Sequence, residues 1–497
     1  MLRSQNNKNE ISDSVQIIKT VIIGSGFGGL CMGIKLKQTG DDDFIILEKA
    51  DDLGGTWREN TYPGAECDIP SALYSYSFEH NSEWQFKWSG QQQILKYQHD
   101  TATKYGLGEH LKYQSEVNSL VFNEVEQRWT VSTTDGEQFK AQHVVCAIGQ
   151  LHKLATPEFA DVDQFNGPLF HSGKWDHSVD LKGKKIAVIG NAASAVQFIP
   201  EIAKVAKHLT IFQRSPNWIL AKVDRPYSKR EQQLSAKYPF VAKLYRRCIW
   251  ALGEYGVLPA IKGNPVSKWL VRKACLANLN KHVSDPELRA KLTPDYPVGA
   301  KRVLFSDHYF PTLARDNVSL NSDGVASFKA TGVVDKLGNE TDADVIIYGT
   351  GFQTNPFLAD IEVIGVGQRS IRDAWSDGAQ AYLGMSTHGF PNLHLLYGPN
   401  TNLGHTSIII MLEAQADYVI QAMGNLDQLA KQSCEVKSEV EQQYNQGLQA
   451  RLSTMAFSKI ENSWYKDGDK VTNNWAGGTR EYVKRLKKID MAAYTLR

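Results

Sequence analysis

The chain has 497 residues, of which 42% are hydrophobic and 22% charged, with a formal net charge of +1; it can bury several cores, and it lacks the basic excess of a nucleic-acid binder. Its six cysteines are scattered, with no CxxC pair and no Cys/His cluster at zinc spacing, which argues against a metal site and for reduced thiols in a cytoplasmic protein. No apolar window approaches the roughly 20 residues that span a bilayer, and residues 1–15 read as a loose polar tail rather than a secretion signal.

The first predicted unit begins at Thr20 with a β-branched strand, continues through the turn GSGFGG and a helix, and closes with a second buried strand ending at Glu48. This is a βαβ unit. RWTVSTTDGEQFKAQHVVCAIG predicts a hairpin turning at Asp135-Gly136, followed by a buried strand from Val144 to Ile148. A second strand-turn-helix-strand unit starts at Gly183, and AVIGNAASAV repeats VIIGSGFGGL. Between Asp224 and Pro297 strand signals vanish and the pattern becomes helical. Strands return in NVSLNSDG, ASFKATGVVDKLG and ADVIIYGTGF, before two amphipathic helices that start near Ser407 and Ser438.

HVVCAIG and DVIIYGTGF end alike, so the chain is expected to leave the first domain near residue 150 and return near 345. The predicted fold class is α/β: two dinucleotide-binding, Rossmann-like domains with an inserted helical subdomain. The predicted divisions are 1–155 and 341–497 for the first domain, 156–225 and 298–340 for the second, and 226–297 for the insertion.

Gly24, Gly26 and Gly29 stand at GxGxxG spacing between a strand and a helix. Such glycines allow a tight turn and close backbone approach to a pyrophosphate, the helix N-terminus adds partial positive charge, and Glu48 can accept ribose hydroxyls. In the second turn, opened by Gly190 and Asn191, Ala192 replaces the middle glycine, and Ser194 and Ala195 begin the helix that carries Gln197. The next strand ends in Arg214 and Ser215 where a ribose-binding acid would otherwise stand. A guanidinium there can bind a 2′-phosphate, which favours NADP over NAD. Residues 221–302 carry seventeen Lys/Arg against six acids; most read as a solvated basic face, and Lys301-Arg302 is the pair best placed to steer a polyanionic coenzyme.

Two dinucleotide sites imply electron transfer from NADPH to a flavin, as in disulfide reductases or flavin monooxygenases. The missing CxxC removes the former. Phe165, Gly167, His171 and Trp175-Asp176 match FxGxxxHxxxW(P/D), so the chain resembles the Baeyer–Villiger monooxygenases, the class B flavoprotein monooxygenases that act on ketones. The related enzymes that oxidise sulfur or nitrogen carry Tyr or Phe where Trp175 stands, and oxidation of soft nucleophiles is the alternative reading.

The resemblance covers nearly the whole chain and implies FAD and NADPH as cofactors, O₂ and a ketone as substrates, and an ester or lactone as product by way of a flavin C4a-peroxide. It also implies catalytic roles for Arg302, Asp68, His171 and Trp175. GGTWRENTYPGAECDIPSALYSYSF would place Thr56, Trp57, Asp68 and Tyr74 near FAD, with Val117 against adenine. VGAKRVLFSDHYFPTLARDNV would place Lys301 at the 2′-phosphate and Arg302 over the flavin. GPNTNLGHTS and SWYKDGDKVTNNW fit as well, whereas Ala192 and the proline-free NWAGG depart from the pattern. The sequence leaves the particular ketone and the oligomeric state open.

Overall fold

A computed structural model describes residues 15–354, 357–358, 360–459 and 465–497; the expected N-terminal tail and the start of SWYKDGDKVTNNW lie outside these residues. The first sheet has eight strands. At its centre Gln16–Ile23 pairs in parallel with Phe44–Leu47 on one side and Gln138–Cys146 on the other, aligning Ile22 with Ile46 and Val145. Strand periodicity divides these residues between two cores. Ile22, Ile46 and Val145 join the core under helices Phe27–Thr39 and Ile408–Gln428, while Val21, Ile23, Leu47 and Val144 face a second core containing Trp129 and Phe390. The predicted hairpin forms between Arg128–Thr133 and Gln138–Cys146, with Gly136 at φ +92°.

The second sheet is fully parallel, in the order Val318–Asn321, His208–Phe212, Lys185–Ile189, Val345–Tyr348, Leu169–His171. Strand Val345–Tyr348 lies inside this sheet between Lys185–Ile189 and Leu169–His171, aligned with Ile186–Ile189, and the next strand of the first sheet is Glu362–Ile364. The chain therefore returns to the first domain after residue 348, which corrects the expected boundary at 341. The cause is physical: two buried parallel strands that both end in glycine look alike whichever sheet they occupy.

Residues 229–292 are helical, including Lys229–Lys237, Pro239–Leu252, Pro265–His282 and Pro286–Leu292, with a π turn at Gly253–Val257. None of the described helices is long and apolar enough to cross a membrane.

Candidate active site

The first glycine turn is fixed by crowding on two sides and open on the third. A Cβ on Gly24, at φ +97°, would lie 2.8 Å from the Ala147 carbonyl oxygen, and one on Gly29 would lie 1.8 Å from that of Gly24. At Gly26 the nearest atom to such a Cβ is 3.8 Å away. That residue caps helix Phe27–Thr39, whose first turn has neither a side-chain cap nor an acid, so the helix's positive end and its first amides are left for a ligand. Glu48 is buried at the rim: Oε2 accepts from the amide and hydroxyl of Ser25 at 2.8 and 2.7 Å, and Oε1 from the Ala50 amide at 3.0 Å. An anionic diphosphate and a ribose diol match this donor and acceptor set.

The segment after Gly55 wraps the same turn. Thr56 opens a short helix, Trp57 Nε1 donates to the Tyr74 hydroxyl at 3.1 Å, and the Tyr74 ring meets Phe27 edge-on at 5.2 Å. Val117 is buried at the start of its strand, two residues beyond Ser115, whose amide donates to the Glu48 carbonyl at 2.8 Å.

In the second domain Gly190 has φ +102°, and a Cβ there would lie 2.6 Å from the Gly349 carbonyl oxygen. Asn191 Nδ2 donates to Gln213 Oε1 and to the Ser215 carbonyl, both at 2.9 Å, which ties the turn to the strand end that carries Arg214. Helix Ala193–Ile202 also starts without a side-chain cap. Lys301 Nζ donates to Ser215 Oγ at 2.8 Å. Burial first, and then repulsion from Arg214, hold its ammonium below the usual lysine range. Among the described residues no carboxylate lies within 4.0 Å of either cation. Two neighbouring cations and a hydroxyl with no carboxylate partner could hold a phosphate.

The remaining second-turn residues have protein partners. Ser194 Oγ lies 3.1 Å from Ser172 Oγ, and the Ala195 methyl packs against Gly349. Gln197 bridges the domains: Oε1 accepts from the Tyr62 hydroxyl at 2.8 Å and the Glu66 amide at 3.3 Å, and Nε2 donates to the Glu66 carbonyl at 2.9 Å. That fixes the loop carrying Asp68 against the second domain.

Arg302 Nη2 donates to Asp68 Oδ1 at 2.6 Å, and the Arg302 amide donates to the Tyr465 hydroxyl at 3.1 Å. Burial alone would lower the guanidinium's pKa, but Asp68, Tyr465 and Tyr397 together raise it, so the group stays cationic. Beside Lys301 and Arg302 lies a pocket walled by Leu258, Ile261, Leu403, Met455, Phe457 and Trp475. The loop from Tyr397 forms part of this wall. Tyr397 and Asn400 adopt φ +60° and +57°, Tyr397 Oη donates to Asn402 Oδ1 at 2.7 Å, and Asn402 Nδ2 donates to Asn474 Oδ1 at 2.9 Å.

The helical insertion lines this wall with Leu258 and Ile261, and Glu254, in the π turn just before them, ties it to the neighbouring segments. Its Oε2 accepts from the Thr479 amide and hydroxyl at 3.0 and 2.8 Å and lies 3.3 Å from His405 Nε2; Oε1 accepts from the Arg480 amide at 3.3 Å.

His171 and Trp175 belong to a different place. His171 Nδ1 accepts from the Gly173 amide at 2.9 Å, and burial lowers the imidazole's pKa. Trp175 packs on Phe170 and Phe198 at 5.2 and 5.3 Å, while a Cβ on Gly167 would lie 2.4 Å from the Asp344 carbonyl oxygen. The motif thus seats strand Leu169–His171 on the second sheet. The contacts of His171 and Trp175 are with that domain and Phe352, not with Arg302 or Asp68.

A family model described as flavin-binding monooxygenase-like matches residues 18–372. The chain belongs to this flavin-binding monooxygenase-like family. Within it, the chain is a class B flavoprotein monooxygenase of the Baeyer–Villiger group. It is 41% identical over 481 residues to a Baeyer–Villiger monooxygenase of Pseudomonas aeruginosa, covering 96% of this chain and 91% of that one. It is 37% identical to another from Streptomyces coelicolor, with coverages of 96% and 92%. Among solved structures it is similar to an oxidised steroid monooxygenase bound to NADP, with a TM-score of 0.87 and 29% identity over 97% of this chain and 99% of that one. A cyclohexanone monooxygenase from Rhodococcus sp. Phi1 bound to NADP⁺ gives 0.88 and 25%, over 97% and 100%.

Sequence reasoning for this flavin-binding monooxygenase-like chain missed Tyr465, Tyr397 and Glu254. Only the Glu254 neighbourhood carried a signal, since glutamate is the one charged residue in the stretch CIWALGEYGVLPAI, which Gly and Pro also interrupt.

Proposed function

We propose that this chain is an FAD- and NADPH-dependent monooxygenase that inserts one oxygen atom of O₂ beside a ketone carbonyl, giving an ester or lactone. The observation that carries this reading is the Arg302 guanidinium, kept charged by Asp68 at the meeting of the two dinucleotide domains. The first glycine turn and Glu48 fit the pyrophosphate and ribose of FAD, and Lys301, Ser215 and Arg214 fit the 2′-phosphate of NADPH. Bound FAD supplies the route by which electrons from NADPH reach O₂ and oxygen reaches the ketone.

The protein's own part is electrostatic. Arg302 offers donors to an oxyanion that develops beside it and holds its charge at any working pH. Asp68 anchors one nitrogen of the guanidinium, and Gln197 holds the loop that bears Asp68. The apolar wall from Leu258 to Trp475 accepts the hydrocarbon body of a ketone and excludes water. Relatives at 37 to 41% identity are Baeyer–Villiger enzymes, and they support ketone oxidation rather than oxidation of sulfur or nitrogen. The cysteines are free thiols, in keeping with a cytoplasmic location.

The test is product mass after turnover of aliphatic, cyclic and aryl ketones and one sulfide under oxygen-18 gas. One heavy oxygen in an ester supports the reading; label in the sulfoxide alone overturns it.

A further inference from the structure

The basic character of residues 221–302 is only partly absorbed by the coenzyme site, and the remainder coincides with an unusual surface. Of the 21 large hydrophobic side chains exposed among the described residues, eleven lie between Leu234 and Leu270. Helix Pro239–Leu252 buries only Ala242, and helix Pro265–His282 buries nothing before Cys275. Phe240, Leu244 and Leu252 on the first helix are 59 to 75% exposed, and Val266, Trp269 and Leu270 on the second 54 to 65%. Interleaved with them are Lys243, Arg247, Lys268, Arg272 and Lys273. Among the described residues none of these five has a carboxylate within 4.0 Å, and Lys273 Nζ lies 5.0 Å over the Trp269 ring. From residue 232 to 284 there are nine Lys/Arg and a single acid, Glu254, which is buried against the Thr479 and Arg480 amides.

A merely solvated face would not expose this much hydrocarbon. A second copy of the chain would bring like charges together. Exposed Phe, Leu and Trp set among unpaired cations instead complement a layer with anionic headgroups above an apolar interior. We propose that helices Pro239–Leu252 and Pro265–His282 dock this protein peripherally on an anionic lipid surface, the cations on the headgroups and the apolar side chains below them.

The test is co-sedimentation of the full-length holoenzyme with vesicles of phosphatidylcholine alone or mixed with phosphatidylglycerol. Partitioning about tenfold stronger onto the mixed vesicles, and weakened by added salt, is expected. The Phe240→Ala, Leu244→Ala, Trp269→Ala variant should lose that binding while its NADPH oxidation with a water-soluble ketone stays unchanged. If that variant fails to fold, Lys268→Gln, Arg272→Gln, Lys273→Gln gives the same reading through charge. Equal partitioning on neutral vesicles, no binding to either, unaltered binding of the folded variants, or a stable dimer whose interface is this face overturns the proposal.

Discussion

Arg302 and Asp68 are 234 positions apart in the chain, yet Nη2 of one lies 2.6 Å from Oδ1 of the other. The pair is partly open, with side-chain exposures of 31 and 21%, so a ligand can reach the guanidinium's other donors. Replacing Arg302 with Ala is expected to lower ketone turnover by at least about a hundredfold, the usual effect of losing an oxyanion donor. NADPH-driven flavin reduction, followed by stopped-flow absorbance, should persist. Undiminished ketone turnover would refute the assigned role.

Lys301 is held below the usual lysine range by burial and by the nearby Arg214, and the two cations with Ser215 are proposed to take the coenzyme's 2′-phosphate. Lys301→Ala should raise the KM for NADPH about tenfold or more, equivalent to at least ~1.4 kcal/mol, with little change for NADH. Because the Lys301 ammonium is held below its ordinary range, it loses its proton earlier as pH rises. NADP⁺ affinity in the native enzyme should therefore decline on the alkaline side, and Lys301→Arg should delay that decline. Titration calorimetry across alkaline pH measures both.

Glu254 serves as acceptor for the first amides of helix Thr479–Leu486 and as partner of His405. Burial raises its pKa, but its bonds with His405 and Thr479 more than offset this, so the folded-state value lies below the ordinary glutamate range. A depressed folded pKa gives stability that is complete above the ordinary range and lost as pH falls through the lowered value. Glu254→Ala should cost about 3 kcal/mol by leaving buried groups unpaired, and the loss should shrink toward acid pH. Urea denaturation at neutral and acid pH tests the sign.

At Gly167 a methyl group would meet the Asp344 carbonyl oxygen at 2.4 Å and the Phe165 ring at 2.6 Å, so both backbone and ring would have to shift. Gly167→Ala should destabilise the second domain by about 1–3 kcal/mol. Thermal unfolding followed by circular dichroism gives the figure, and an unchanged midpoint contradicts the packing account of the motif.

Both dinucleotide turns and the acid at Glu48 were legible in the sequence because local spacing alone defines them. Arg302 and Lys301 were placed by resemblance, and the Asp68 contact became certain only when the loops met. The assignment of strand Val345–Tyr348 to the first domain failed because an all-apolar strand does not record which sheet it enters. Tyr465 and Tyr397 were invisible for a related reason: their roles come from loops brought beside Arg302 by tertiary packing. Gln197, read as a coenzyme contact, has its amide engaged by Tyr62 and Glu66, and one residue on a helix gives no hint of such a bridge.

The two glycine-led turns differ at both later glycine positions, Ala195 standing for Gly29 and Ala192 for Gly26, so that Gly26 offers only hydrogen where Ala192 carries a methyl. A backbone that can be approached closely would hold a dinucleotide more tightly than one that carries a methyl spacer. One turn is suited to a permanent resident and the other to a reagent that must leave and be renewed every cycle. Ala192→Gly should therefore tighten NADP⁺ binding and slow steady-state turnover by retarding its departure, so that a better fit makes a slower catalyst.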